Sequence, residues 1–240
     1  MVFHLSKETV AKLKAKANIE IGTDNISSLQ ALSSHIWRSV VRNRSLDPNE
    51  ETKYCIIVGT RQRFRELPDG YFGNAILGTF VTTKAKEVME HGIGKPAWRM
   101  NRTIATMTVE SFERFLVSWP TSPNFVTLSN GDALTTSSSP RFNMYGNDFG
   151  WGKPMAVRSR SSNKIDGMLT LDCGAEEGSI NVESSCCRGK IRRSSGLPEN
   201  ARTDPVKASM ENGGARGDRP ETTREKTGKE NDSGRRLREI

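Results

Sequence analysis

Three histidines, four cysteines and one acid set among glycines are the residues of this chain with the most chemical potential. A hydrolase or group-transfer enzyme needs a base within reach of its nucleophile or acceptor. His4 precedes Glu8 in HLSKE, a spacing that resembles a base with an orienting acid. Glu8, however, falls in the first turn of an expected helix, where the dipole favours an acid without any catalytic role. His35 lies off the apolar stripe of its helix, and His91 precedes a glycine-rich turn. No G-x-S-x-G, P-loop or H-E-x-x-H is present, so the residues alone name no catalytic group. None of Cys55, Cys173, Cys186 and Cys187 forms a C-x-x-C, and adjacent Cys186-Cys187 is poor geometry for a metal clip. Free thiols and no metal site are expected.

Two stretches place charge in unusual settings. TRQRFRELPDGYFGN (60–74) carries Arg61, Arg63 and Arg65 directly after an apolar run. YGNDFGWGKP (145–154) sets Asp148, Phe149 and Trp151 among Gly146, Gly150 and Gly152. The arginines read either as a solvated loop or as a guanidinium pairing with a carboxylate at another strand end. Asp148 is the candidate partner, because an acid in such a turn is costly unless paired.

The elements that must position these residues alternate. VFHL reads as a short strand, and Ser6 caps a helix with Val10, Leu13 and Ala17 on one face. Ser27 or Ser28 caps a second helix with a stripe of Leu29, Leu32, Ile36 and Val40. YCIIVGT (54–60) is a continuous apolar run suited to a sheet buried on both faces. AILGTFVTT (75–83) is a second strand, and Pro96 opens a helix with Ala97, Met100, Ile104 and Met107 on one side. ALTTSSS, PMAVRS, MLTLDC and SINVE read as further strands. Mixed helices and strands without an internal repeat indicate α/β or α+β rather than a bundle or sandwich.

Composition divides the chain. From Arg188 to Ile240 there is no Phe, Tyr or Trp, and 14 Lys and Arg face 9 Asp and Glu, so +5 of the net +8 lies there. The first 183 residues read as the globular part, and 184–240 as a basic tail too poor in apolar mass to fold. A basic tail can neutralise phosphates, but the lack of stacking rings and of a docking fold argues against nucleic acid. No window approaches about 18 apolar residues, and no cleavable leader opens the chain. A soluble cytoplasmic protein with no membrane partner is expected.

Asp148-Phe149-Gly150-Trp151-Gly152 matches in full the second signature of the plant BAHD acyltransferases, which move acyl groups from coenzyme A to alcohols or amines. YFGN (71–74) and SSLQALSSHIWRS (27–39) resemble further segments of that family's second half, in order, from about Val2 to Glu183. The resemblance implies the second domain of a coenzyme A-dependent acyltransferase fold, with acyl-coenzyme A as co-substrate and a small-molecule acceptor. The family's base is the His of an H-x-x-x-D motif. Here His4, His35 and His91 are followed at that spacing by Glu8, Ser39 and Lys95. The resemblance therefore implies a half lacking catalytic residues, inactive alone or dependent on a complementing N-terminal half. The alternative is a non-enzymatic relic or decoy, with a nucleic-acid-binding tail as one variant. By carry-over, Lys16 lies near the cofactor phosphates, and Ser27 and Ser28 sit at a helix N-terminus able to accept an anion. Arg141 matches a position that meets the acceptor in some relatives. Asp148 pairs with Arg61, Gly150 and Gly152 let the backbone turn, and Phe149 and Trp151 bury the turn. Strands after the turn cross to a first-domain sheet in the family, so KPMAVRS and GMLTLDC are expected to lack partners here. The tail matches nothing in the family, and its Arg, Gly and Ser bias resembles a misread frame or retained intron.

Overall fold

The structure, a computed structural model, describes residues 2–61, 63–64, 67–68, 70–123, 133–137, 139–159 and 166–184. All of them fall within a compact unit spanning Met1–Pro205. Arg65, Cys186, Cys187 and the basic tail from residue 185 onward lie outside the described residues.

The chain begins with strand β1 (Val2–Leu5) and helix α1 (Lys7–Ile21). Ser6 is the N-cap of α1, its Oγ accepting the Thr9 N–H at 3.3 Å. Gly22 closes the helix at φ 72, a left-handed conformation that glycine adopts without steric cost. Val10, Leu13 and Ala17 are buried together, as their spacing predicts.

Helix α2 (Ser28–Arg44) is capped by Ser27, which resolves the choice between the two serines. Its buried face is Ala31, Leu32, Ser34, Trp37, Val40 and Val41. The predicted stripe is thus rotated: Leu29 and Ile36 are only partly buried. The wide indole of Trp37 fills the centre. Its Nε1 donates to Thr52 Oγ1 at 2.9 Å, and its ring lies 5.6 Å from Tyr54, so the one polar atom of a fully buried ring is satisfied.

Strands β2 (Glu51–Gly59) and β3 (Ile76–Lys84) form an antiparallel pair. Helices α3 (Ala85–Glu90), α4 (Gly94–Ala105) and α5 (Val109–Ser118) follow. Strand β4 (Ala133–Thr136) then joins β2 in parallel, and β5 (Met168–Cys173) joins β4 in parallel. Strand β6 (Ile180–Ser184) closes the order β1-β6-β5-β4-β2-β3.

The result is a mixed sheet with α1, α2 and α4 packed together. Phe3, Leu5, Leu169, Leu171, Ile180, Val182, Tyr54 and Val81 alternate along the strands and join residues of the helices in one core. Each buried aliphatic or aromatic chain contributes about 1.5–3 kcal/mol relative to exposure.

Three expectations are corrected. The YCIIVGT strand starts earlier, at Glu51, and its alternating burial leaves one face partly exposed instead of covering both. GMLTLDC does not lack partners: as β5 it is held between β4 and β6, because β4 and β6 of this same chain supply both neighbours. PMAVRS (154–159) forms no strand; only Ser159 is tied to the sheet, its N–H donating to Glu183 Oε2 at 2.9 Å.

Candidate functional site

Lys16 lies on the outer face of α1 with its side chain 60% exposed, and its Nζ is 4.0 Å from Glu20 Oε1. The other oxygen of Glu20 accepts the N–H groups of Ile93 (2.8 Å) and Gly94 (2.7 Å). Glu20 therefore caps α4 from another helix, placing a carboxylate where the dipole favours one. Gly92 must be glycine for this, because a Cβ there would lie 2.3 Å from the Glu20 oxygen and the φ is 71.

The mouth of α2 is tied to α1 by a single side chain. Asn18 Oδ1 accepts the Ile26 N–H at 3.0 Å, and Asn18 Nδ2 donates to the Ile26 carbonyl at 3.2 Å. Ser27 and Gln30 then form a capping box: Ser27 Oγ accepts the Gln30 N–H, and Gln30 Oε1 accepts the Ser27 N–H at 2.8 Å. The first intrahelical bond is Ala31 N–H to the Ser27 carbonyl, so the Ser28 and Leu29 amides stand at the open end. Ser27 is exposed and Ser28 half-buried. Lys16, Ser27 and Ser28 thus sit on two elements braced against each other by Asn18.

Arg141 is exposed, and its backbone N–H donates to Ser139 Oγ at 3.3 Å. Nearby in sequence, hydroxyls chain along the strand ends: Tyr54 with Thr136 at 2.6 Å, Ser137 with Thr170 at 3.1 Å, and Ser159 with Thr170 at 3.3 Å.

The DFGWG turn departs from expectation. Asp148 does not pair with Arg61. Its Oδ1 accepts the N–H groups of Gly150 (2.8 Å) and Gly152 (3.1 Å). Arg61 Nη2 donates to the Gly73 carbonyl at 3.0 Å, with its guanidinium 5.9 Å from the Tyr71 ring centroid. The physical reason is exposure: a carboxylate in a solvated turn carries no desolvation cost demanding a counter-charge, and two local amides satisfy it. Phe149 and Trp151 do not bury the turn either, being 83% and 94% exposed. Only the role of the glycines holds, with Gly150 at φ 92 and Gly152 at φ 93.

Residues 1–192 match the Transferase family. The chain belongs to that family, the BAHD acyltransferases. It is 39% identical over 191 residues to an uncharacterised acetyltransferase of Arabidopsis thaliana, covering 76% of this chain and 43% of that protein. It is 32% identical over 161 residues to the shikimate O-hydroxycinnamoyltransferase of Nicotiana tabacum, covering 64% of this chain and 37% of the relative. The chain therefore spans about four-tenths of the length of these relatives. The fold is that of the F. sporotrichioides TRI101 crystallised with coenzyme A and T-2 (TM-score 0.70, 21% identity, 81% of this chain and 48% of that one). Vinorine synthase shares it, with a TM-score of 0.59 at 21% identity, over 75% of this chain and 42% of that one.

Within this BAHD chain the histidines are not arranged as a base and its acid. His4 Nδ1 lies 2.9 Å from Asn181 Oδ1 across β1 and β6, not beside Glu8. Glu8 bonds its own backbone N–H and then Ser6, which together hold its carboxyl below the usual value. His35 is half-buried on the flank of α2, and exposed His91 ends α3. Burial pushes the Cys55 thiol up, the opposite of what activates a nucleophile. Among the described residues no group of three or more His, Cys, Asp and Glu could hold a metal ion, and no helix is long and apolar enough to cross a membrane. Sequence reasoning missed Glu20, because a cap made across 73 residues leaves no local pattern. It also left open the role of Arg63, whose Nη1 binds the Ile104 and Met107 carbonyls and so closes the end of α4.

Proposed function

We propose that this chain is part of an acyl-coenzyme A-dependent acyltransferase acting on a hydroxyl or amine of a plant metabolite, and that it is inactive alone. The observation that carries this is the conjunction of a family match over residues 1–192 with three histidines, none followed by Asp four residues on. In the reaction the acceptor O–H or N–H attacks the thioester carbonyl. A base takes its proton, and the coenzyme A thiolate leaves. Losing the base costs typically about 10²–10⁴-fold. The base then comes from a complementing N-terminal half, covering the length of the relatives that this chain does not span.

Acyl-coenzyme A acts here as a co-substrate, not a resident group, and binding is weak. Lys16 faces its phosphates, and the open amides at Ser28, beside Ser27, receive an anionic oxygen. Arg141 meets the small-molecule acceptor. The working compartment is the cytoplasm. TRI101, whose fold this chain shares, was crystallised with coenzyme A and T-2, which favours this ligand class. Titration calorimetry with coenzyme A tests the assignment: Lys16→Ala should weaken binding about tenfold, the equivalent of ~1.4 kcal/mol. Micromolar binding indifferent to Lys16→Ala would remove Lys16 from the site. Binding that persists while a complemented mixture shows no turnover favours a non-enzymatic relic or decoy.

A further inference from the structure

Glu20 gives one carboxylate oxygen to each of two helices. Oε2 accepts the N–H groups of Ile93 (2.8 Å) and Gly94 (2.7 Å) at the start of α4. Oε1 faces Lys16 Nζ at 4.0 Å, one turn back along α1. The two attachments differ in strength. The first joins a carboxylate to two backbone donors at a helix N-terminus, charge-assisted bonds that the dipole reinforces. The second lies at the outer limit of ion pairing, with the lysine side chain 60% exposed. Its Lys-before-Glu order is also the less favourable one on a helix.

Packing fixes the carboxylate further. A Cβ on Gly94 would lie 2.8 Å from Glu20 Cβ and from Ile21 Cγ1, and 2.9 Å from the Ala17 carbonyl oxygen. The start of α4 is therefore in close contact with the turn of α1 that carries Glu20. When Lys16 leaves, Glu20 keeps its place, because α4 holds its other oxygen and its stem.

We propose that Glu20 is a positioning residue that limits the affinity for coenzyme A through Lys16. The inference rests on the reading that Lys16 faces the coenzyme A phosphates. A fixed carboxylate and a phosphate then compete for one ammonium. In the free chain Glu20 draws that ammonium back along α1 and offsets its charge. A group more highly charged than a carboxylate, such as a phosphate, gains by displacing it, and the affinity is held low.

Titration calorimetry of the full chain with coenzyme A tests this. Glu20→Gln keeps an oxygen acceptor for the α4 amides and removes the charge. It should tighten binding about fivefold, the order expected for one charge near a surface, and the gain should shrink as salt is raised. With Lys16→Ala in place the same change should gain less than about twofold. A purely structural Glu20 gives the opposite sign, since Gln accepts from the two amides less strongly and binding falls. Amide exchange in the parent gives a second reading: Ile93 and Gly94 should stay equally protected with and without coenzyme A. If parent binding depends on Lys16 but folded Glu20→Gln binds no tighter, the role of Glu20 is overturned and the acyltransferase reading stands. A full gain in the Lys16→Ala background, or loss of protection at Ile93 and Gly94 on binding, also overturns it. Coenzyme A binding indifferent to Lys16→Ala, or no binding by the parent and by Glu20→Gln, overturns both.

Discussion

Trp37 and Trp151 are the same residue in opposite settings. Trp37 is wholly buried between α2 and β2, hydrogen-bonded to Thr52 and set against Tyr54. Trp151 is 94% exposed in a turn that closes on its own Asp148. The difference lies in what delivers the ring, not in its chemistry. A helix brings Trp37 into register with a strand, so burial follows from periodicity. A glycine-rich turn satisfies its polar groups locally and leaves its rings outside.

The largest expected effect sharpens that contrast. Trp37→Ala should cost about 3–5 kcal/mol of stability, the usual range for deleting a buried aromatic. Trp151→Ala should stay within about 0.5 kcal/mol. Urea unfolding of both variants gives the comparison, and equal losses would show that the turn is buried in solution.

Gly167→Ala should come next, at about 1–3 kcal/mol. Gly167 has φ 92, and an added Cβ would lie 2.2 Å from the Ala133 carbonyl oxygen. That contact guards the start of β5, because the Thr135 N–H bonds the Gly167 carbonyl. A neutral substitution, read by thermal unfolding, would contradict the register of β4 and β5.

Asp148→Ala should cost about 1 kcal/mol, the typical loss of a local cap. Asp148→Asn should cost less, since its amide oxygen still accepts from Gly150 and Gly152. A double-mutant cycle with Arg61→Ala should show coupling within about 0.3–0.5 kcal/mol, as for independent sites. Coupling of several kcal/mol would restore the buried ion pair that the family signature suggests.

The smallest effect concerns pH. Glu87 accepts a hydrogen bond from Thr83 and lies beside Arg99, which hold its carboxyl below the ordinary value of 4.5. A lowered folded pKa stabilises above the unfolded value and is lost as pH falls through the folded one. The side chain is 36% exposed, so screening keeps the contribution below about 1 kcal/mol. Glu87→Gln should therefore narrow its gap to the parent as pH drops below 4.5. A gap that widens would reverse the sign.

Much of the fold is legible in the sequence. Ser6 and Ser27 mark the helix starts because caps act within a few residues. Strands β3, β5 and β6 follow from their apolar runs within a residue or two. Pairing is not legible: β2 reads as buried on both faces, yet it lies antiparallel to β3 and parallel to β4. Partners distant in sequence decide this. The site divides in the same way. Ser27 at a helix mouth is readable, whereas the clasp of Glu20 on α4 and the local closure of Asp148 depend on geometry.

We propose above that this chain carries part of an acyltransferase whose base lies on a complementing half. Coenzyme A release from acetyl-, malonyl- and hydroxycinnamoyl-coenzyme A, with mixed alcohol and amine acceptors, tests it directly. The chain alone should match a denatured control, and adding a polypeptide that carries the family's His-x-x-x-Asp half should give turnover. Turnover by the chain alone, abolished by His4→Ala, would contradict the account.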